Sequence, residues 1–443
     1  MAWYVAARDR QGAATNRERV QWSLYAVLAG HSSSVSALTA LELPGEKSVD
    51  SFLVLTGGSD GVIQSWRVAP AGPGESYRVR SVETATDGSD SVLLQKFDLK
   101  GKIPLDLALT YLPSSQSASA AGSAMHPLTS CVPKASSWLS QERKLVSKSS
   151  PLGPQTRSRL VSAPIWLVVC IADLAATTSQ FVKSLSLEGH TDWVRCLAFI
   201  TPIPFTSTDL IPSASSSYDI APGEVLLASG SQDNYIRLWR FARVSSETDT
   251  GAPEPSGLDA LDELERTLAE VGGEEGELRV KAHDFPVAGD GVFACSSEAV
   301  LLGHDAWVTG LHWAPLPLRL TSSSTPAAPV DLRLLSSSAD RSLILWAPSP
   351  DPSSMSPSAS IWTNTRRFGE FSSATNLGFF GALWGPHAKT VLAHGWGGSW
   401  HVWREGGENA SEEWESVVPV SGHFGTVKSV DWEPQGEYFL TAG

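Results

Sequence analysis

The residues best suited to chemistry in this sequence are Asp and Trp pairs with a fixed spacing. In the stretch "GSQDNYIRLWR" (230–240), Asp233 stands six positions before Trp239. An Asp in a turn rich in Gly and Ser can act as a general base, so a catalytic interpretation is available. However, the same spacing recurs in "GSDGVIQSW" (58–66) and "SSADRSLILW" (337–346), and one catalytic carboxylate needs no copies. The pattern therefore indicates a structural repeat, whose other pairs are Asp60 with Trp66 and Asp340 with Trp346.

A Gly-His pair followed by alternating apolar residues stands upstream of each Asp and Trp pair. A fourth Gly-His copy, "GHFGTVKSVDW", begins at residue 422. Each unit thus reads as Gly-His, strand, turn, strand, Asp-bearing tight turn, and a strand that ends in Trp. The four histidines are His31, His190, His304 and His423.

These residue types predict a hydrogen-bonded chain inside each unit. The His of the opening loop, the turn Asp, a Ser or Thr on the second strand and the Trp on the third strand are expected to be its members. A buried carboxylate without such partners would cost several kcal/mol, so the chain would rigidify the unit while removing that penalty. The structural interpretation of the Asp is therefore preferred to the catalytic one.

Other groupings that could carry catalysis or bind a metal are weak. The remaining histidines form no Ser/His/Asp or metal-ligand pattern in the sequence, although groupings formed only in space stay open. The four cysteines lie far apart without a C-x-x-C pair. The segment "GWGGS" (395–399) lacks the strand-to-helix context of a nucleotide-binding loop and favours a Gly-rich hairpin. We predict no catalytic, cofactor-binding or metal-binding residues.

Composition indicates a soluble intracellular protein. The chain has 33 Lys and Arg against 47 Asp and Glu, a formal charge of −14, which disfavours direct binding of nucleic acid. Its longest apolar run, "APIWLVVCIA" (163–172), is too short to span a membrane. No signal for secretion opens the sequence.

The Gly-His openings and the Asp and Trp pairs together resemble the WD-repeat β-propeller family. That resemblance implies an all-β propeller of four-stranded antiparallel blades around a central axis. The sequence is expected to be incomplete at both ends and to be part of a longer protein. The predicted blades span 28–68, 91–183 in degenerate form, 185–242, 299–347, 361–404 and, in part, 418–443.

Long polar and Pro-rich insertions are expected to interrupt the blades as disordered loops. One of them contains Leu residues on one face of "GLDALDELERTLAEVG", which predicts a short amphipathic helix that packs on the propeller or docks a partner. Those residues are Leu258, Leu261, Leu264 and Leu268. The predicted insertions are 113–160, 201–222, 246–280, 321–330 and 347–360.

Four residues near the opening loops and Asp-bearing turns are candidates for a partner-binding face. Trp193 and Trp307 follow Gly-His by three positions, where the sister repeats carry Ser34 and Thr426. Exposed aromatic residues favour interfaces, although each Trp could instead pack on a neighbouring blade. Gln232 and Arg341 flank the turns and are weaker candidates.

The order of the repeats and the positions of the insertions resemble the first propeller of the WD-repeat second subunit of Elongator complexes. The resemblance runs from about 185 to 443, from "LEGHTDWVRCLAF" to "GHFGTVKSVDWEPQGEYFLTAG", and is looser before that. It implies a non-catalytic scaffold, in cytoplasm and nucleus, that contacts the largest and catalytic subunits of Elongator and supports wobble-uridine modification of transfer RNA. A WD-repeat substrate receptor of another assembly, such as a ubiquitin ligase, is the alternative.

Overall fold

The structure is a computed structural model of the chain, and every regular element in the part that it describes is a β-strand. No helix in that part is long and apolar enough to cross a membrane. The described residues are 2–9, 21–43, 51–68, 79–81, 91–99, 103–112, 126–134, 167–172, 181–200, 218, 220, 223–244, 282–287, 291–316, 332–350, 360–369, 378–406, 414–433, 436 and 438–443.

The first blade follows an antiparallel pair formed by β1 (Ala2–Asp9) and β2 (Gln21–Ala29). Blade 1 has the order β3-β4-β5-β7-β6, in which the short β6 pairs parallel to β7 at the outer edge. Its strands are β3 (Val35–Leu43), β4 (Ser51–Gly58), β5 (Val62–Val68), β6 (Val79–Ser81) and β7 (Ser91–Asp98).

Blades 2 and 3 are formed from antiparallel neighbours. Blade 2 has four strands in sequence order, and blade 3 has a fifth strand, β15, outside β16. Blade 2 consists of β8 (Ile103–Leu112), β9 (His126–Lys134), β10 (Leu167–Ala172) and β11 (Phe181–Leu187). Blade 3 consists of β12 (Val194–Ile200), β13 (Val225–Ser231), β14 (Ile236–Arg243), β15 (His283–Val287) and β16 (Gly291–Leu301).

Blades 4 and 5 are four-stranded antiparallel sheets, and a two-stranded sheet of β25 (Ser429–Trp432) and β26 (Phe439–Ala442) follows them. Blade 4 consists of β17 (Val308–Trp313), β18 (Leu334–Ser338), β19 (Ser342–Pro350) and β20 (Ser360–Gly369). Blade 5 consists of β21 (Phe379–Trp384), β22 (Thr390–Gly395), β23 (Ser399–Glu405) and β24 (Trp414–Ser421).

The blades are arranged as a propeller. The first strand of each blade contacts the first strand of the next, in the series β3, β8, β12, β17, β21 and β25. The hydrophobic cores lie between neighbouring blades, from blades 1 and 2 through to blades 4 and 5. The second strand of a blade is therefore covered on both faces, which explains why β13, "VLLASGS", contains only apolar or small residues and is buried throughout. The predicted all-β WD-repeat propeller is confirmed.

Two strands differ from the sequence-based organisation. Ser91–Asp98, which the sequence analysis assigns to the second blade, pairs with β5 and is the outer strand of blade 1. The predicted insertion 113–160 includes β9, which pairs with both β8 and β10. A strand pattern shows that a segment is extended but does not show which neighbour it pairs with, so spacing alone misplaces both segments.

The other predicted insertions lie mostly outside the described residues. This is true of 246–280, with the predicted helix of Leu258, Leu261, Leu264 and Leu268, and of 321–330. Within 201–222, Tyr218 and Ile220 are described and buried. The segment 347–360 begins as the end of β19 and ends with the first residue of β20.

Candidate partner-binding face and the networks that hold it

Blades 1, 3 and 4 each contain one chain of hydrogen bonds that joins the four residue types singled out in the sequence. In blade 4, His304 Nδ1 lies 3.0 Å from Asp340 Oδ2, and its Nε2 lies 2.8 Å from Ser336 Oγ. Trp346 Nε1 donates to the same hydroxyl at 2.9 Å. A Ser or Thr was predicted in this hydrogen-bonded network, and in the structure it lies at the centre, between His and Trp.

Blades 1 and 3 repeat this geometry with small changes. In blade 3 the three distances, from His to Asp, from His to hydroxyl and from Trp to hydroxyl, are 2.9, 2.9 and 3.0 Å. In blade 1 they are 3.1, 2.9 and 3.1 Å, and a Thr supplies the hydroxyl. The members are His190, Asp233, Ser229 and Trp239 in blade 3, and His31, Asp60, Thr56 and Trp66 in blade 1.

The donor and acceptor roles in this network follow from its two ends. An indole N–H can only donate, and an ionised carboxylate can only accept. Trp346 therefore donates to the Ser336 hydroxyl, the hydroxyl donates to Nε2 of His304, and Nδ1–H of His304 donates to Asp340. A neutral His with its proton on Nδ1 satisfies every member, and the network thus assigns that tautomer.

Backbone amides complete the environment of each turn Asp. The carboxylate of Asp340 accepts the N–H of Asp305 at 2.9 Å and that of Ser342 at 2.8 Å. Asp60 and Asp233 accept equivalent amides from the opening loop and from the residue two positions after the Asp. Burial opposes ionisation of these carboxyl groups, but the hydrogen bonds from the His and the amides hold the pKa of all three below its usual value.

Close packing explains the Gly of each Gly-His pair. A Cβ on Gly303 would stand 2.9 Å from the Trp346 ring, and one on Gly189 would stand 3.0 Å from the guanidinium of Arg237. In the other two copies, a Cβ would meet Gln64 at 2.2 Å and Trp400 at 2.8 Å. A third-strand side chain therefore lies against the Gly of each opening loop, from the same blade in three copies and from blade 5 for Gly422, and a larger residue would require that side chain to shift.

His423, the fourth predicted His, has part of the same network. Its Nε2 lies 2.8 Å from Thr441 Oγ1, and Thr441 occupies the position on β26 that matches Ser336 on β18. The rings of His423 and Trp400 meet edge to face, with centroids 6.3 Å apart.

The turns place Gln232 and Arg341 on the same end of the propeller as the opening loops. The amide of Gln232 donates to the carbonyl of Trp193, and the amide of Ala339 donates to that of Trp307. The residue after the turn Asp has a positive φ in blades 1, 3 and 4: Gly61, Asn234 and Arg341 have φ values of 79°, 71° and 71°. This is the left-handed residue of a three-residue hairpin loop, which favours Gly or Asn. Arg341 adopts this conformation in blade 4 although Gly or Asn is preferred there.

Trp193 and Trp307 have the same backbone position but different surroundings. Trp307 is 45% exposed, and the guanidinium of Arg195 stacks on its ring, 5.3 Å from the centroid. Trp193 is half-buried, and its amide donates to the Asp192 carboxylate at 2.7 Å. Both residues thus lie beside the Asp-bearing turns, and Trp307 is the more exposed of the two.

Two charged residues near this end escaped the sequence analysis. Arg195 lies in a β-bulge at the start of β12, and Asp106 follows a bulge at the start of β8. The Asp106 carboxylate accepts the amides of Leu107 at 2.8 Å and Leu197 at 2.9 Å, and so joins the first strands of blades 2 and 3. Burial raises the pKa of Asp106 to about 7. A bulge leaves no signal in the residue types, which is why neither position could be recognised.

No group of three or more metal-ligating side chains occurs in the part of the chain that the structure describes. The His and Asp pairs of blades 1, 3 and 4 belong to the hydrogen-bonded networks described above. Cys196 and Cys295 are buried free thiols, and burial raises the pKa of both.

Comparison with known proteins supports both the repeat and its context. The family model described as "WD domain, G-beta repeat" matches residues 22–67 and 180–240. Elongator complex protein 2 of Danio rerio is 33% identical over 267 residues, which cover 60% of this chain and 26% of the relative. The Dictyostelium discoideum protein of the same name is 26% identical over 429 residues, or 95% of this chain and 39% of the relative. The Homo sapiens protein is 29% identical over 272 residues, 61% and 26% of the respective chains.

The chain therefore spans between about a quarter and two fifths of the length of these relatives. The family match covers blades 1 and 3, and both of these blades contain the repeated network. The chain forms a β-propeller that carries WD repeats, and it is similar to Elongator complex protein 2.

Proposed function

We propose that this chain is a non-catalytic scaffold subunit of an Elongator complex and contacts the largest and catalytic subunits. The observation that carries the proposal is the similarity to relatives named Elongator complex protein 2, which in one relative extends over 95% of the chain. Through these contacts the chain would support modification of the wobble uridine in transfer RNA without binding a small-molecule substrate, and its contact with nucleic acid would be at most indirect.

The geometry of the repeated Asp favours this function over catalysis. Each turn Asp is saturated by a His and by backbone amides, and the same arrangement occurs in three blades. A general base needs a free lone pair directed at a substrate, whereas the lone pairs of these carboxylates accept hydrogen bonds that hold the loops. The scaffold needs no cofactor.

The face that carries the Asp-bearing turns is the proposed contact surface. Its candidates are Trp193, Trp307, Gln232 and Arg341, of which Trp307 is the most exposed aromatic residue. The acidic charge of the chain suits contact with proteins more than direct contact with RNA. We place the protein in the cytoplasm and nucleus, where it would meet the other subunits.

The test is joint expression of this chain with the largest and catalytic Elongator subunits, followed by size-exclusion chromatography. A shared peak that survives dilution supports the scaffold function. Separate peaks from a chain with a cooperative melting transition would contradict it, and would favour a substrate receptor of another assembly, such as a ubiquitin ligase. Expression with a WD-repeat protein of unrelated function is the control for non-specific association.

A further inference from the structure

The first strand of each of the five blades begins with a β-bulge, and in blades 1, 3 and 4 the bulged residue contacts the next blade. In blade 1, the hydroxyl of Ser36 donates to the carbonyl of Pro104 in blade 2 at 2.8 Å. In blade 4, the hydroxyl of Thr309 donates to the carbonyl of Phe379 in blade 5, also at 2.8 Å. A short polar side chain at this position therefore joins two neighbouring blades.

Blade 3 carries Arg195 at the same position, and this side chain does not make the joining bond. The carbonyl of Val308, which matches Pro104 and Phe379, is instead 3.9 Å from the thiol of Cys196, a weak donor. The guanidinium of Arg195 turns toward the opening loop of blade 4 and stacks on Trp307. Bulges commonly re-aim a side chain in this way at functional positions.

Arg195 has no carboxylate partner in the described part of the chain. It makes no hydrogen bond or ion pair there, and the nearby carboxylate of Asp192 instead accepts the amide of Trp193. Burial lowers the pKa of Arg195, but an Arg side chain stays charged in proteins. A half-buried guanidinium with unused donors is unusual, because its five N–H groups suit planar, bidentate acceptors.

Further exposed apolar side chains lie at the same end of blades 3 and 4 as this guanidinium. Ile236 pairs with Leu301, so Tyr235, which precedes β14, and Leu302, which follows β16, lie at adjoining strand ends. Tyr235, Leu302 and Trp307 are 38%, 63% and 45% exposed. An unpaired cation stacked on an exposed Trp, with further exposed apolar side chains at the same end of the two blades, is a suitable surface for an amphipathic peptide.

We propose that Arg195 and Trp307 form a docking site for an extended, acidic segment of a partner protein. A carboxylate of that segment pairs with the guanidinium of Arg195, and an adjacent apolar side chain packs on Trp307 and Leu302. The inference rests on the proposed scaffold function and deepens it, because it gives the chemistry of the segment that the scaffold binds.

An acidic peptide is favoured over nucleic acid, although a phosphate would also suit the guanidinium. A phosphate backbone needs a row of cations, and the chain carries a net charge of −14. The local carboxylates Asp192 and Asp305 would repel a polyanion, whereas a single carboxylate beside apolar residues can approach Arg195 alone. The exposed apolar side chains also favour a peptide, because a peptide can offer apolar side chains to pack against them.

The experiment is selection of a random peptide library, displayed on phage, against the full chain. The wild-type chain should enrich peptides with Asp or Glu beside an apolar residue. Arg195→Thr, which installs the side chain that Thr309 has in blade 4, should lose that enrichment. Trp307→Thr, which installs the residue type of Thr426, should reduce it. Arg404→Thr removes an exposed Arg from β23 in blade 5 and should enrich the same peptides as wild type.

The most enriched peptide is then synthesised and its affinity is measured by fluorescence polarisation. Arg195→Thr should weaken binding by about tenfold, since a charge-assisted contact and a cation–π contact are both lost. Replacing the acidic residue of the peptide by its amide should cause a similar loss. Arg195→Gln is the second variant, for use if Arg195→Thr melts at a lower temperature than wild type.

Three outcomes would overturn the proposal. The first is no acidic enrichment with wild type, and the second is an enrichment that survives in both Arg195 variants. The third is binding of a short oligothymidylate that is lost in Arg195→Thr, which would assign the site to nucleic acid. Joint chromatography with the Elongator subunits separates this inference from the function that it deepens. Peptide binding without a shared peak would remove only the Elongator function, and a shared peak without peptide binding would remove only this site.

Discussion

Blade 4 and blade 5 surround the Trp of the third strand with different interactions. In blade 4, a polar chain of His304, Ser336, Asp340 and Trp346 joins the opening loop, two strands and the turn. In blade 5, Gly397 stands at the position of the Asp and Ala393 at that of the Ser, while Trp403 is retained. Its rings replace the polar chain: His401 stacks on Trp403 with centroids 6.0 Å apart, and Phe379 meets both edge to face.

The aromatic arrangement also extends into the neighbouring blade. Phe368, on the outer strand of blade 4, contacts Trp403 at 5.3 Å and stacks on Trp414 at 5.7 Å. Trp414 in turn meets Trp384 edge to face. The polar chain holds loops within one blade, whereas the aromatic cluster joins two blades. The Trp is thus common to both blades, whereas the Asp occurs where a His of the opening loop is bound to it.

The largest effect is expected from removing the carboxylate at the centre of this comparison. Asp340→Ala leaves the His304 ring and the amides of Asp305 and Ser342 without their acceptor, so the free energy of unfolding should fall by about 3 kcal/mol. The matched change in blade 5, Gly397→Ala, should have little effect, because nothing lies within 4 Å of an added Cβ. Urea unfolding of both variants measures the difference. Equal losses would mean that the polar chain does not stabilise blade 4.

Exchanging the central hydroxyl sharpens the comparison further. Ser336→Ala leaves the buried N–H of Trp346 and the Nε2 of His304 without a partner, and should cost about 2 kcal/mol. The reverse change in blade 5, Ala393→Ser, should give no gain, because no polar chain awaits the new hydroxyl. Melting temperatures of the two variants test this, and a stabilised Ala393→Ser would show that blade 5 contains a hidden acceptor.

Acid should distinguish the two blades as well. The pKa of Asp340 is lower in the folded chain than in the unfolded chain. Its ionised form therefore stabilises the fold above the unfolded value of about 4, and this contribution is lost as the pH falls through the lowered folded value. The stability difference between wild type and Asp340→Asn should thus be constant at neutral pH and shrink below a pH of about 4. A difference that instead grows in acid would reverse the assigned ionisation, and Gly397→Ala is the pH-independent control.

The smallest effect is expected at the turn, where Arg341 has a φ of 71° and Gly398 in blade 5 has a φ of 80°. Arg341→Gly should raise the free energy of unfolding by about 1 kcal/mol, because Gly adopts this conformation without steric cost. Gly398→Ala should lower it, since the new Cβ would stand 2.1 Å from the carbonyl oxygen of His423. Denaturant midpoints check the signs. A loss of stability in Arg341→Gly would mean that contacts of the Arg side chain outweigh the backbone strain.

The sequence was sufficient to predict the parts of the molecule in which residue type and geometry are tied together. The spacing of Asp340 and Trp346 predicts a turn and a strand, and the Gly-His pair predicts the loop that the network holds. The sequence was insufficient where only strand pairing or packing determines the blade to which a segment belongs. The outer strand Ser91–Asp98 carries no mark of the blade to which it belongs, and the parallel β6 and the added β15 leave no repeat signal.

The candidate face was predicted only in outline for the same reason. Gln232, Trp193 and Trp307 follow from the repeat, because they stand beside residues that the motif identifies. Arg195 does not, since its position depends on a bulge and its importance depends on the absence of the hydroxyl that Ser36 and Thr309 supply. A comparison among blades at that bulge is informative only after the register is known.

The most direct test of the account is the effect of removing both indoles from the proposed contact face. Trp193→Ala together with Trp307→Ala should weaken binding to the largest Elongator subunit, measured by biolayer interferometry, by about tenfold or more. The melting temperature should fall little, because Trp307 is 45% exposed and neither indole belongs to a hydrophobic core cluster. A large fall in melting temperature with unchanged affinity would contradict the account, and would show that these residues hold the propeller together.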